Sequence, residues 1–557
     1  MTLNPAVDKI VHWTIAEVEY ATIAHMSQRY RPIVLFAVLA CGGAFAGQLR
    51  QHGRILAINE DNDRYIISAK RNPDLLTERG AMGYFDSVAA GGAVTHFFMC
   101  VNGQRTSYDS KVWEPIWLGV NDRTENGTTN APWCVNAKIL NDRGIDIWKI
   151  WCARAREKGI SPWISMRMND AHYVDRDYKV HRNESFWWDH PEWWLQPHTK
   201  EERFTKAKKG RSLDFAHPEV FDHAIKLVEE ILDRWDADGI ELDWMRQPFC
   251  LTMGKEVEKS HVLTAFMRQV RRLTEAAARR RGHPVGICVR LQSVLEGARL
   301  TGYDVETWAK EGLMDIVVPT SAYCATEYVC GTAEWRAVLS GAPHPIRLVF
   351  GTDICIYNHA VRRFEVHKDL SFLRGWAANA RGGDGLYLFN APYYQEPARK
   401  EVYAGALSPE RVASGARRYP ITYHEWMPTK ALEDRQFARG VGNGAEFHVS
   451  ASKYPHDKTI SLVMGFDETT ATAPGIMLNG VAPAEAAVPV EPSKVVPDPS
   501  GFTTNPKGMA SAWRWEFPAE TLRDGRNDVK VAPTGTDMKA VWCEIAIEPR
   551  RQGDNEM

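Results

Sequence analysis

The feature that most constrains the fold of this chain is an alternation of short apolar runs with amphipathic helical patterns between residues 54 and 391. Such alternation is typical of repeated βα units. Eight strands separated by helices close most economically into a (β/α)8 TIM barrel. The predicted strands are Arg54–Asn59, Val94–Asn102, Ser161–Asn169, Gly239–Asp243, Val285–Gln292, Asp315–Thr320, Arg347–Asp353 and Gly385–Asn390.

The chain has 557 residues, too many for one hydrophobic core, so more than one domain is expected. Helical periodicity stops near Arg417, and short alternating strands with Pro, Gly and Asn turns follow. This predicts an α/β barrel over residues 47–416 and an accessory β-sandwich over residues 417–557. The longest predicted helices are Phe221–Trp235, Val262–Arg280 and Val361–Ala380, and the Pro-rich stretch Pro483–Pro506 is expected to be a loop.

Residues 1–46 are expected to be a start-site extension followed by a signal peptide. Arg29 and Arg31 precede an apolar run, and Ala44–Ala46 fits a small-residue cleavage site. The run is too short to span a membrane, so the mature chain is expected to be exported without a transmembrane segment. Met26 is then the expected start, and an alternative lipobox would place a lipid on Cys41.

Composition excludes several classes of partner and cofactor. The net charge is −2 with 25% charged residues, which gives no basic field for nucleic acid. The nine Cys other than Cys41 lack metal-ligand spacing and are expected to be small buried thiols, although Cys324 and Cys330 could form a disulfide. No metal or cofactor is therefore expected, and a homo-oligomer is compatible with the sequence.

Side-chain alternation along the strands indicates which residues face the barrel interior. Helices cover the outside, so the apolar side of each strand faces outward and the polar side faces inward. His172 and Arg246 lie just beyond strand ends, within reach of the same mouth. The inward polar set is Asp61, Asn102, Arg167, Asn169, Glu241, Asp243, Arg290 and Asp353.

The fourth predicted strand carries two carboxylates on one face, Glu241 and Asp243, within the segment DGIELDWMR at Asp238–Arg246. A buried unpaired charge is costly, so such a strand needs a compensating role. Hydrolysis of a glycosidic bond is one, because it needs an acid and a base or nucleophile. Glu241, the deeper carboxylate, is expected to be an ion-pair partner of an arginine rather than a catalyst.

Residues 171–211 form a long insertion after the third strand and contain five aromatic residues in two clusters, Phe186–Trp188 and Trp193–Trp194. Loops that follow barrel strands build the catalytic face. The insertion is expected to be either a lid packed by its own tryptophans or a platform for sugar rings.

The segment Leu213–Glu219 (LDFAHPE) leading into Asp238–Arg246 resembles the bacterial "family 10-like" glycosyl hydrolases. The fourth strand also invites comparison with the chitinase signature DGxDxDxE, but Met245 stands where that signature needs its acid. Within the broader group the chain resembles glycoside hydrolase family 156, which are inverting exo-sialidases. This resemblance covers the barrel, about residues 54–400, and rests on spacing and strand position.

The resemblance to family 156 implies that Asp61 and His172 are catalytic and that Arg167, Arg246 and Asn390 contact the sugar. Near Asp61, a shift in the register of the first strand could make Glu60 or Asp63 the catalytic carboxylate instead. We add Asp243 to the catalytic candidates, and list the substrate-binding candidates as Arg167, Asn169, Arg246, Arg290, Asn390, Glu241 and Asp353.

Three functional hypotheses follow for this chain. The first is an exported exo-glycosidase that is metal-independent and acts on an acidic sugar of an oligosaccharide or glycoconjugate. The second uses Asp243 and Asp353 on a neutral plant or algal polysaccharide. The third is a non-catalytic carbohydrate-binding barrel, since a fold by itself does not establish activity.

Overall fold

Eight parallel strands close into a barrel in the order β1-β8-β7-β6-β5-β4-β3-β2. Each predicted strand is present, with ends within two residues of the predicted ones. The strands are β1 Ile55–Glu60, β2 His96–Cys100, β3 Ser161–Arg167, β4 Gly239–Asp243, β5 Gly286–Gln292, β6 Ile316–Thr320, β7 Arg347–Thr352 and β8 Gly385–Leu388.

The computed structural model describes residues 53–549 except 62–63, 69–72, 90–91, 120–130, 171, 173, 175–181, 196–210, 321–325, 354, 357–363, 366–368, 392–401, 403–404, 406, 423–436, 456 and 497–507. The predicted signal peptide, the lipobox at Cys41 and the alternative acid Asp63 lie outside these residues. The residues from His52 onward form one compact unit.

The predicted inward face of the barrel is confirmed by the strand register. Arg167, Asp243 and Arg290 lie side by side on β3, β4 and β5, so their side chains share one layer of the interior. Across the barrel, the Tyr387 hydroxyl on β8 donates to Glu241 on β4 at 3.0 Å. Strands β4 and β8 are not neighbours, so this bond can form only through the interior.

Helices pack on the outside of the barrel through one apolar face each. In Pro218–Arg234 the buried residues recur with helical spacing and include Val220, Leu227 and Ile231. The helices of the barrel region are Arg64–Ser68, Glu78–Ala89, Ala131–Asp142, Ile147–Glu157, Ser185–Trp188, Pro218–Arg234, Ser260–Arg281, Leu295–Leu300, Val305–Lys310, Thr332–Leu339, Leu370–Asn379 and Pro409–Ser414, with 3₁₀ turns at Pro73–Leu75, Pro191–Trp193 and Ala380–Gly382.

The predicted helix Val361–Ala380 begins too early. Phe364–Glu365 instead pairs antiparallel with Cys355–Ile356 as a short two-stranded ladder. The helix starts at Leu370, where the Asp369 carboxylate accepts a hydrogen bond from the Ser371 amide at 2.9 Å. An N-cap of this kind ends the preceding extended segment, and the apolar periodicity alone did not reveal it.

Two antiparallel sheets follow the barrel, and their buried faces form a β-sandwich, which confirms the predicted fold class. One sheet contains, in spatial order, the strands Arg417–Pro420, Lys539–Pro549, Asp457–Phe466, Ser511–Pro518 and Val488–Val490, and Arg439–Gly440 also pairs with Lys539–Pro549. The other sheet contains, in spatial order, Ala445–Ala451, Gly525–Val531 and Ile476–Leu478. The expected loop Pro483–Pro506 is wrong in part, because it contains the strand Val488–Val490 and the helix Pro492–Val495. A 3₁₀ turn at Ala519–Thr521 completes the region.

The first strand of the sandwich packs directly on the last large helix of the barrel. A Cβ built on Gly375 would lie 2.1 Å from the carbonyl oxygen of Arg418, so only glycine allows this approach. Nearby, the Asn379 side chain donates to the Ser450 carbonyl at 3.0 Å. These contacts tie the sandwich to the barrel.

In the described part of the insertion, the aromatic residues pack on one another. Trp187 stacks on Trp194 with ring centroids 4.9 Å apart, and Phe186 lies 4.6 Å from Trp193. Trp187 is fully buried, and its indole donates to the Arg211 carbonyl. This arrangement fits a self-packed lid better than an exposed platform for sugar rings.

The eight described cysteines are all buried. Cys324 lies outside the described residues, so its pairing with Cys330 stays a prediction. No helix in the described ranges combines the length and the apolar composition needed to cross a bilayer.

We expect Gly375→Ala to lower the free energy of unfolding by about 1–3 kcal/mol, because the new methyl group meets a backbone carbonyl that cannot move aside. Denaturant unfolding measures the change. The matched control is Gly83→Ala, at an exposed helical position with nothing within 4 Å, where alanine should stabilise by about 0.5–1 kcal/mol. Equal effects of the two substitutions would contradict the close packing at Gly375.

Candidate active site

The candidate site lies at the carboxyl ends of the barrel strands, where the connecting loops begin. Arg167 ends β3, Asp243 ends β4, and Arg290 lies beside Asp243 on β5. All three are nearly fully buried. Charges in such a position must be compensated by partners, and these partners define what each residue can do.

Asp243 is held on every side. Arg290 Nη1 donates to its two carboxylate oxygens at 2.8 and 3.0 Å. The backbone amides of Met245 and Arg246 donate to its Oδ1 at 3.0 and 3.2 Å. The ring of Phe389 covers the Arg290 guanidinium at 3.8 Å. Asp243 therefore fixes the turn that carries Arg246.

Glu241 lies one layer deeper and has no exposed surface. Burial, and then the nearby charge of Asp243, raise its pKa to about 8. The carboxyl group is therefore mostly protonated at neutral pH, and Tyr387 is its hydrogen-bond partner. The expected ion pair between Glu241 and an arginine is replaced by this neutral bond, since a protonated acid costs less to bury.

Asp170, which the sequence did not single out, joins the arginines to the histidine. Its Oδ2 accepts from Arg167 Nη1 at 2.8 Å. Its Oδ1 accepts from the His172 amide at 2.8 Å and from His172 Nδ1 at 2.7 Å. An Asp side chain often accepts a hydrogen bond from the backbone amide two residues further along the chain. The spacing of Asp170 and His172 was therefore the sequence signal that could have identified Asp170.

Two further contacts complete the cluster. Arg167 Nη2 forms a buried ion pair with Asp61, which follows β1. Arg246 Nη2 lies 3.1 Å from His172 Nε2. Because Nδ1 faces a carboxylate and Nε2 faces a guanidinium, the imidazole is the Nδ1–H tautomer with its lone pair on Nε2. The structure thus brings Asp61, Arg167, Asp170, His172 and Arg246 into one hydrogen-bonded chain.

The electrostatics of this chain keep His172 and Asp61 unprotonated. Burial lowers the pKa of His172 to about 4, with Arg246 and Arg182 also lowering it and Asp170 opposing them. Burial alone would raise the pKa of Asp61, but the charges of Arg167 and Arg246 outweigh it and hold that pKa below its usual value. At neutral pH the resting site therefore holds a neutral imidazole and an ionised Asp61.

The asparagines of the predicted set have different positions. Asn102 bridges β2 to β3, donating to the Arg167 carbonyl and accepting from the Arg167 amide at 3.0 and 3.1 Å. Asn169 binds the backbone of Leu213 and Phe249. These two side chains hold backbone segments in place. The hydrogen bonds of Asn169 go to backbone groups, so they do not support a direct contact of this residue with substrate.

Asn390 follows β8 in a left-handed backbone conformation with φ 55°, which asparagine tolerates better than most residues. Its Oδ1 is buried without a hydrogen-bond partner among the described residues. A buried amide oxygen of this kind is suited to a ligand donor. Asp353 follows β7, is fully buried, and adds to the negative charge around Arg290.

In the described part of the chain, the one grouping with metal-ligand geometry is Glu446, His448 and Asp528 in the sandwich. Arg526 donates to Asp528 at 2.9 Å and lies 2.8 Å from His448 Nε2, so a cation already occupies that grouping.

No protein-family model matches the chain, and no curated protein matches it. Among solved structures it resembles a GH36 alpha-galactosidase, AgaA of Geobacillus stearothermophilus, with 12% identity, TM-score 0.35, and coverage of 84% of this chain and 56% of that one. It also resembles alpha-L-fucosidase isoenzyme 2 of Paenibacillus thiaminolyticus, with 13% identity, TM-score 0.38, and coverage of 66% and 51%. The chain spans little more than half the length of these structures. Likenesses this distant carry no argument about the site, which has to be interpreted from its own geometry.

We expect Asp243→Asn to lower the free energy of unfolding by about 3–5 kcal/mol, because it leaves the buried Arg290 without its counter-ion. The matched control is Asp528→Asn in the sandwich, whose ion pairs are partly exposed and contribute about 1 kcal/mol or less. Chemical denaturation of both variants gives the comparison. Similar small losses would show that Arg290 has another adequate partner.

We expect His172 to make stability fall as the pH drops from its ordinary pKa of 6.5 toward about 4. In this window the unfolded chain binds a proton at His172 and the folded chain does not, so acid favours unfolding, by about 3 kcal/mol in total. His172→Gln should flatten this part of the profile of unfolding free energy against pH. His261→Gln, on an exposed helix face, should keep the wild-type slope.

Proposed function

We propose that this protein is an exported, metal-independent exo-glycosidase that removes a terminal acidic sugar, with a chemistry like that of the family 156 sialidases. The observation that carries the proposal is the chain Asp61–Arg167–Asp170–His172–Arg246 at the barrel mouth. It combines guanidinium groups that suit a carboxylate with an imidazole held in one tautomer by a buried Asp.

The arginines support an acidic substrate. A planar guanidinium donates two parallel hydrogen bonds and matches a carboxylate better than any other side chain does. The backbone amide of Arg246 donates to Asp243, and its Nη2 lies 3.1 Å from the imidazole Nε2 of His172. Arg290 is committed to Asp243, and Arg167 to Asp61 and Asp170, so we assign the contact with the substrate carboxylate first to Arg246. The resemblance to family 156 adds Arg167 and Asn390 to the substrate-binding residues.

His172 is the proposed general base. Asp170 orients its ring and stabilises the imidazolium that forms when Nε2 takes a proton from the attacking water. The water oxygen bonds to the anomeric carbon as the glycosidic C–O bond breaks. Asp61 is the proposed acid. It is ionised in the resting site, so it takes up a proton from solvent before it protonates the leaving oxygen, and the proton that His172 accepts from water returns to solvent.

The second hypothesis, a neutral polysaccharide cleaved by Asp243 and Asp353, is less well supported. Asp243 is held by two bonds from Arg290 and two from backbone amides, which suits a positioning role. Export is proposed from residues 26–46 alone, with a lipid on Cys41 as its variant.

We expect the chain from Gly47 onward to release the chromophore from an aryl α-sialoside, and His172→Gln and Asp61→Asn each to lower kcat/KM at least about 100-fold. Both variants should retain the wild-type circular dichroism spectrum. The controls are His261→Gln and Asp233→Asn, exposed residues away from the mouth, which should keep full activity.

Two results would overturn this assignment. Turnover of an aryl uronide or neutral glycoside without any of the sialoside would move the substrate class, and a loss specific to Asp243→Asn would revive the second hypothesis. Glycan binding without turnover across the panel would favour the non-catalytic barrel.

A further inference from the structure

The proposed base is capped in the resting site. A neutral imidazole has one lone pair, and here it lies on Nε2 because Nδ1–H donates to Asp170 at 2.7 Å. Arg246 Nη2 lies 3.1 Å from Nε2 and donates to that lone pair. While this bond persists, Nε2 cannot take a proton from water.

The cap is also the residue best placed to leave. The backbone of Arg246 is fixed, because its amide donates to the Asp243 carboxylate at 3.2 Å. Its Nη2 donates to a neutral imidazole nitrogen, whereas a carboxylate offers two charged oxygens that match the guanidinium fork. A carboxylate at the mouth therefore competes successfully for the guanidinium.

We propose that the carboxylate of the substrate draws Arg246 away from His172 and so switches on the base. This inference rests on the proposed function and deepens it, because it places selection for acidic sugars in the catalytic step as well as in binding. A neutral sugar that fills the same space leaves the arginine on Nε2 and the base capped.

The groups around His172 set how large the effect can be. Asp170 faces Nδ1 of the imidazole and Arg246 faces Nε2. Arg182 and Asp61 interact with His172 electrostatically. The Arg182 guanidinium lies 4.6 Å over the Trp133 ring, a separate partner. Withdrawal of Arg246 removes one of two nearby positive charges, so the pKa of His172 should rise part of the way toward its ordinary value.

The test follows the His172 imidazole by NMR in the chain from Gly47 onward carrying ¹³C-labelled histidine, with the signal assigned by its loss in His172→Gln. The pKa is measured without ligand, with N-acetylneuraminic acid at saturation, and with its neutral methyl ester. We expect the acid to raise the pKa of His172 by about one unit or more and the ester to leave it unchanged. Arg246→Gln should raise that pKa without ligand and abolish the response to the acid.

Arg182→Gln is the matched control, since it removes the other nearby positive charge but should keep the response to the acid. If the acid binds and the pKa of His172 does not move, or moves equally with the ester, the switch is overturned while the proposed function stands. If neither compound binds, the acidic-sugar site is overturned and the switch with it. Should Arg246→Gln fail to fold, the wild-type titrations with the two compounds decide the question alone.

Discussion

The structure depends on the compensation of charges buried at the top of the barrel. Arg167 and Arg290 are almost completely enclosed. Arg167 is compensated by Asp61 after β1 and by Asp170 after its own strand β3, and Arg290 is compensated by Asp243 at the end of the neighbouring strand β4. Removing one partner from such a pair leaves a charge in a medium that solvates it poorly. The carboxylates therefore lock the ends of β1, β3, β4 and β5 into one arrangement, and the loops start from fixed points.

This locking divides the polar residues into two groups. One group consists of Asp243, Asn102 and Asn169, which form hydrogen bonds with backbone amides and carbonyls and, for Asp243, with Arg290. These residues hold the strand ends and the loops that follow them in place. The other group is the pair His172 and Arg246, which are bonded to each other through an imidazole nitrogen and a guanidinium. This bond can be exchanged for one with a ligand while the backbone of Arg246 stays fixed by Asp243.

The rest of the chain supports that mouth at a distance. In its described part, the insertion after β3 packs its tryptophans on one another, and His172 lies near its start. The sandwich docks where Gly375 lets a helix touch a strand backbone. That helix leads, through a 3₁₀ turn, to β8 and Asn390.

The sequence by itself determined the barrel, the sandwich, the inward face of each strand and the position of Glu241, Asp243 and Arg290, because strand alternation and helix periodicity are local properties of the chain. It did not reveal the start of the helix at Leu370, which depends on the Asp369 cap. Nor did it reveal the bond from Tyr387 to Glu241, the role of Asp170 or the arginine on Nε2 of His172. Those pairings join residues up to 146 positions apart in the chain, and their protonation states follow from burial and neighbouring charge. Only the closed barrel brings such groups within a few ångströms of one another, so only the tertiary structure decided which of them hold the frame and which can do chemistry.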